Sequence, residues 1–303
     1  MQTVDTLIGA SFGLLGAVLF AISVVVYRSQ SDRIAPIAVG SIKMWASIPL
    51  MLGLVVIQGT EALFEMSAET TIILSLSVMF SAVVGDTIYI RSQELVGVSY
   101  AFPIAMSFPL ITYIMTVTLL GEQFVALRLV GAAITVAGVV ILSNEQHRKK
   151  REDMETSSRK SVLGLALAFV TALLWAGGVV ILQVGVSEVD PVPANFIRVI
   201  VGSVAFVPIY ALGRHTGMRS PNSRTAALVA ITGFFGMGVG SLMHVFAVKL
   251  AGAAITSVVG ATSPLFAVPF SMVLLREKVG MRALAGIMAT VVGVILVVIA
   301  PYP

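Results

Sequence analysis

Long, charge-poor apolar runs constrain this chain more than any other feature. A run of 18 or more such residues is long enough to cross the hydrocarbon core of a bilayer as a helix. Ten can be marked, over 7–27, 35–57, 70–90, 98–119, 124–142, 162–183, 192–212, 225–247, 253–274 and 281–300. Of the 303 residues, 57% are hydrophobic and 11% charged, whereas a soluble domain carries about 25% charged residues. No globular core could bury that excess and leave a wettable surface. The runs are also too long, and apolar on too many faces, for the alternating strands of a barrel. The chain reads as an all-α integral membrane protein with ten transmembrane helices. Cysteine is absent, which excludes disulfides, thiol catalysis and Cys-ligated metal.

Most connections are under a dozen residues, so no soluble domain is inserted. The exception is the stretch 143–161, where His147, Arg148, Lys149, Lys150 and Arg151 follow one another. It reads as a solvated basic linker, with a lipid-headgroup or regulatory patch as the alternative. The start, Met1–Thr6, holds one acidic and no basic residue. A signal peptide would open on basic residues, so the first helix is expected to be retained.

Sliding the sequence against itself by 155 residues aligns its halves without a gap. Gly85 falls on Gly240, Gly97 on Gly252, Pro109 on Pro264, Glu122 on Glu277, Gly131 on Gly286 and Gly138 on Gly293. Earlier in each half, Gly9 falls on Gly164, Pro36 on Pro191 and Lys43 on Arg198. Over 85–142 against 240–297 there are 14 identities in 58 positions; composition alone would give roughly one in ten. The expected organisation is a first repeat over 5–142, the linker 143–161 and a second repeat over 162–303. With five helices each, an odd number, the second repeat must enter the membrane in the opposite sense. Inverted repeats of this kind are the architecture of many secondary transporters.

The stretch Gly85-Asp86-Thr87-Ile88-Tyr89, then Gly97-Val98-Ser99-Tyr100-Ala101, Pro103 and Pro109-Leu110, resembles the third and fourth helices of an EamA-type transporter. That family belongs to the drug/metabolite transporter superfamily. Leu119-Leu120-Gly121-Glu122 with Gly131 and Gly138 resembles its fourth-to-fifth helix junction. Leu274-Leu275-Arg276-Glu277 with Gly286 and Gly293 repeats that signature, Arg276 and Lys278 standing where the first half has Gly121 and Gln123. The resemblance covers the whole chain as two units. It implies a carrier of a small organic solute, with helices 1–4 and 6–9 lining a central cavity and helices 5 and 10 as outer braces. It also implies export across the plasma membrane.

Lys43 and Arg198 lie within their apolar runs, a few residues from the helix middles. A basic residue there costs about 2.5–3.5 kcal/mol on insertion scales, so it must face the bundle interior or water. Each is either a structural cation on carbonyls freed at a helix break or a binding group for the anionic part of a substrate. Asp86 is the acidic residue clearly inside an apolar run, and its repeat mate is Ser241. It is either paired with Lys43 or Arg91, or capped by Ser and Thr hydroxyls, or a titrating group that couples proton movement to transport. His244, the repeat mate of Tyr89, is the second coupling candidate because histidine ordinarily titrates near neutrality. Trp175, Tyr89, His244 and Gln183 are candidate substrate contacts, with Trp175 ranked above Trp45; Tyr100 and Tyr113 add further polar-tipped rings. Together such groups suit a solute-sized cavity. Singly each also reads as packing. Glu122 and Glu277 are expected to stabilise the helix N-termini that follow them. Pro109 and Pro264, repeat mates, are the expected hinges.

No Gly-x-x-x-x-Gly-Lys-Ser/Thr loop is present and no metal-ligand cluster is evident, so no cofactor is expected and energy must come from a gradient. The expected partners are a small-molecule substrate, the bilayer and, if coupled, protons; nucleic acid is not among them. A channel or structural membrane protein is the alternative, though a pore motif repeated by symmetry is missing. An intramembrane enzyme fits less well. Asp86 has no second intramembrane aspartate to share a proton, and His147, His215 and His244 are scattered. The connections on the side opposite the termini hold fifteen of the nineteen basic residues; those on the terminal side hold two, Arg128 and Lys249. The positive-inside rule then places the linker in the cytoplasm and both termini outside.

Overall fold

The computed structural model describes residues 2–30, 32–96, 98–147, 158–274 and 281–301. Among them every regular element is a helix. In chain order these are α1 (Gln2–Ser29), α2 (Pro36–Gln58), α3 (Glu61–Phe64), α4 (Ala68–Val78) and α5 (Asp86–Val96). There follow α6 (Val98–Ala105), α7 (Phe108–Leu119), α8 (Ala126–His147), α9 (Ser158–Gly185) and α10 (Pro191–His215). The last are α11 (Ser223–Gly233), α12 (Gly240–Gly260), α13 (Ser263–Leu274) and α14 (Met281–Ile299). Widened π-helical turns, Met79–Gly85 and Phe234–Val239, join α4 to α5 and α11 to α12.

Local chemistry sets many of these ends. Pro36 and Pro191 open α2 and α10, where a missing amide proton is no loss. The side chains of Ser67 and Asn222 accept from the amides of Thr70 and Thr225 and cap α4 and α11. The fourth and ninth apolar runs each break into two helices, at Met106–Ser107 and at Ala261–Thr262. Pro109 and Pro264 sit in the first turn after those breaks.

The described elements show part of the expected set of ten spans. Seven stretches are long and apolar enough to cross a membrane, while Ala126–Ile141 and Leu284–Ile299 are shorter apolar helices. These are the apolar stretches of α8 and α14, which run for 22 and 19 residues, about 33 and 28 Å, close to the roughly 30 Å hydrocarbon core. One of the seven, Ser223–Gly260, runs through Gly252, whose φ of 78° is not helical. The eighth expected run therefore continues to residue 251, beyond its expected end at 247, and the chain turns at Gly252. The linker is also partly helical: α8 continues to His147 and α9 begins at Ser158. Residues 148–157, with most of the basic run, and Arg276, Glu277 and Lys278 lie outside the described residues.

The 155-residue offset recurs in three dimensions. The π-helical turns start at 79 and 234, and the helix breaks fall at 106–107 and 261–262. Helix contacts recur too. Gly9 abuts Leu250 and Ala251, and its mate Gly164 abuts Leu95 and Val96, their own mates. Ser23 meets Gly236 where α1 crosses the second π turn; Gly178 meets Ser81 where α9 crosses the first. The Ser and the Gly have changed places between these two crossings, so each keeps one bare backbone and closes tightly.

Those contacts also show that the sequence halves are interlaced. α1 packs on α12 and α13 of the other half, and α9 packs on α4, α5, α6 and α7. α2 packs against α10, and α8 against α14. At the α8–α14 seam Gly131 meets Gly293 and Gly138 meets Gly286, each contact being the repeat of the other. Thr135 and Thr290 line the same seam and return their hydroxyls to the carbonyls of Gly131 and Gly286, so no polar atom is stranded in an apolar surround.

Candidate functional site

Four of the residues singled out in the sequence come together. The Lys43 ammonium lies 3.2 Å from Oδ2 of Asp86. The Trp175 indole Nε1 donates to the other carboxylate oxygen, Oδ1, at 3.2 Å. Tyr89 tilts against the Trp175 ring, centroids 5.0 Å apart, and Phe108 meets its edge at 5.9 Å. Gly85 makes room for this, since a Cβ there would lie 2.9 Å from the indole Cδ1. Three helices from both halves thus converge on one carboxylate: α2, α5 and α9. Of the two partners considered for Asp86, the structure has Lys43; Arg91 instead bonds Glu94 at 2.7 Å on the surface. Tyr27, also buried, lies near enough to feel the Lys43 charge.

Arg198 and His244 belong to a second cluster. Arg198 is 93% buried, and its Nε and Nη1 have no hydrogen-bond partner. Those two atoms therefore do not rest on carbonyls freed at a helix break, which was one reading of this residue. One turn before it on α10, Asn195 donates to Ser241 Oγ at 2.9 Å and to Met51 Sδ at 3.3 Å. Ser241 and His244 share a face of α12, and His244 lies near enough to feel the guanidinium charge. By the repeat, Lys43, Asp86 and Tyr89 of the first cluster correspond to Arg198, Ser241 and His244 of the second. Both basic residues stand eighth in their helices, seven residues after the opening Pro36 or Pro191.

Gln183 lies apart from both. Its Nε2 donates to Glu122 Oε1 at 2.9 Å, and its Oε1 accepts from the Ala253 amide. It is eight residues beyond Trp175 on α9, about 12 Å along the axis. There it caps the arm that restarts after Gly252. Glu122, expected at the N-terminus of α8, faces this amide instead, four residues ahead of that helix. Trp45 donates to the Ser203 carbonyl at 3.0 Å and stands edge-on to Tyr210, which makes it a bridge between α2 and α10. Tyr113 is pinned to both backbone groups of Val125.

Asn195, Tyr27 and Phe108 were missed by sequence reasoning. Asn195 had a legible signal, an amide within an apolar run one turn from Arg198. Tyr27 and Phe108 had none, because an aromatic ring in an apolar run is ordinary. Two hollows lie elsewhere on the molecule. One, of about 340 Å³, is lined by Ala46, Ala230, Ile231, Phe234 and Phe235; the other, of about 220 Å³, by Asp32 to Pro36 and Arg219. Among the described residues no group of three or more acidic, His or Cys side chains could hold a metal ion.

The profile of the EamA-like transporter family matches residues 7–144 and 162–299, two equal segments set 155 residues apart. An uncharacterized transporter of Archaeoglobus fulgidus is 25% identical over 235 residues, 77% of this chain and 78% of that protein. A solved crystal structure that is 16% identical superposes with a TM-score of 0.77 and covers 98% of each chain, which is a likeness of fold.

Proposed function

Since the chain belongs to the EamA-like transporter family, and is thereby a multi-pass membrane transporter, we propose that it is a secondary carrier of a small anionic or zwitterionic organic metabolite. The proposed architecture is ten membrane helices in two inverted repeats, 5–142 and 162–303, joined by the cytoplasmic linker 143–161. The observation that carries the reading is the buried guanidinium of Arg198 inside an apolar helix with two donors unused. A cation kept dry and unpaired is expensive. A substrate that completes it accounts for its place.

In this reading Arg198 and Lys43 flank the transport route from opposite halves, and Trp175, Tyr89 and His244 contact the solute. Gln183, on α9 beside the arm that restarts after Gly252, contacts it where the route opens. Alternating access supplies the motion and export its direction. The interlaced packing favours moving bodies that are not the sequence halves. α1 travels with α11, α12 and α13, and α9 with α4 to α7. The breaks before Pro109 and Pro264 act as hinges, and the α8–α14 seam as the fixed brace. Saturable counterflow in proteoliposomes tests transport itself: a carrier exchanges labelled for unlabelled solute, and a channel does not.

Two further results are expected. A reporter fused to the C-terminus and active only in the cytoplasm should stay silent, because fifteen basic residues favour the opposite face; a signal from it would invert the topology. If protons drive transport, Asp86 is the coupling carboxylate, held between Lys43 and Trp175. Asp86→Asn should then lose uptake driven by a pH gradient while keeping much of the substrate exchange. Full retention of both would make Asp86 a structural carboxylate and the protein a uniporter or exchanger.

A further inference from the structure

We propose that the site recognises one carboxylate, that Arg198 alone receives it, and that Lys43 is not an anion-binding group in the resting protein. This rests on the transporter reading above and narrows its substrate class. The argument comes from a broken symmetry. At the position that follows each π-helical turn by one or two residues, the first half carries Asp86 and the second carries Ser241. Asp86 sits on Lys43 at 3.2 Å, so the first cluster is a closed ion pair with both carboxylate oxygens taken. Ser241 brings no charge to the second cluster and spends its hydroxyl on Asn195. Among the described residues Arg198 therefore stands unneutralised, 93% buried, with Nε and Nη1 unbonded.

The sum decides the ligand. Across the two clusters the Lys43–Asp86 pair cancels, and among the described residues the Arg198 guanidinium is left uncompensated. A monoanion brings the dry interior to zero; a dianion would leave one negative charge without a partner, and an amine would add a second positive one. Guanidinium offers a planar fork of donors that fits the two oxygens of a carboxylate. The neighbouring Asn195 and Ser241 carry no charge and contribute no competing acid. Nothing in the second cluster has to be displaced for the anion to enter, whereas at Lys43 it would have to displace Asp86.

A four-carbon series reads the charge directly: butyrate, succinate, butylamine and butyramide, each tested at matched ionic strength for its effect on the thermal unfolding of the purified protein. Butyrate should raise the midpoint saturably, by about 3 °C at ten times its Kd, with succinate no stronger and the amine and amide silent. Ser241→Asp should abolish the butyrate shift, because it places beside Arg198 the acid that Lys43 already has; Ser241→Asn should keep it. Asp86→Asn should release Lys43 and turn the preference toward succinate. The inference is overturned if Ser241→Asp retains the butyrate shift, if the parent protein favours succinate or butylamine, or if Asp86→Asn leaves the preference unchanged. Counterflow separates it from the broader reading. Exchange of a neutral or cationic solute, with none of a carboxylate, overturns the inference and leaves the transporter standing. Absence of exchange for every charge class removes both.

Discussion

Replacing Arg198 with Met should reduce exchange of an anionic solute by about 100-fold or more and leave the folded protein at least as stable as the parent. The two halves of that result have one cause. Arg198 is buried and has no acid partner among the described residues, so removing it leaves no orphaned group there. A linear apolar side chain of similar length fills the space and relieves the burial of an unpaired charge, which substitution studies find neutral or stabilising. Lys43→Met is the contrast. It strips Asp86 of its ion pair and leaves the carboxylate on the Trp175 indole alone, so the unfolding midpoint should fall by several degrees, about 1–3 kcal/mol. Counterflow and thermal unfolding on the same preparations give both readings. If Arg198→Met loses folded protein in step with activity, the guanidinium is a structural group.

That asymmetry could be half seen in the sequence. Lys43 over Arg198 and Asp86 over Ser241 were visible in the self-alignment, because charged residues in apolar runs stand out and the repeat is gapless. What one dimension hides is which helix meets which. The self-alignment implied two five-helix units, yet α1 and α9 have each crossed to pack on the other half. Nothing in a hydropathy pattern distinguishes packing within a repeat from packing across it, since all the faces are apolar. The π-helical turns were invisible for a similar reason: Met79–Gly85 and Phe234–Val239 are as apolar as their surroundings. Gln183 shows the limit from the other side. Its amide reads as a polar tip free for a solute, but the positive φ of Gly252 exposes the Ala253 amide, and Gln183 meets it. The glycine was noted as a repeat mate; its role in presenting an unpaired donor required the backbone.

The interlacing also explains why glycine pairs recur where they do. In a bilayer, lipid tails are as apolar as leucine, so helices associate through close packing rather than through exclusion of water. Two bodies that move need at least one seam that does not, and the α8–α14 contact has the geometry for it. Backbone meets backbone twice, at Gly131 with Gly293 and at Gly138 with Gly286, and Thr135 and Thr290 fill the space between.

Gly138→Leu should consequently eliminate most of the folded protein. A Cβ at 138 would lie 2.5 Å from Thr290 Oγ1, 2.6 Å from the Thr290 amide nitrogen and 2.7 Å from the Gly286 carbonyl. Two of those three atoms are backbone and cannot rotate away. Overpacking a core by a few methylenes costs about 1–3 kcal/mol when side chains can shift; here the helices themselves must part, so the loss should exceed about 3 kcal/mol. Gly138→Ala should already lower the unfolding midpoint, because the first added carbon makes all three contacts. Gly53→Leu is the matched control, a helical glycine of α2 with nothing within 4 Å of its Cβ position, and it should fold normally. The measurement is the monodisperse fraction and unfolding midpoint of the three purified variants. Should Gly138→Leu unfold within about 2 °C of the parent, α8 and α14 do not meet at this register. The brace would then have to lie elsewhere, and the moving bodies would have to be drawn again.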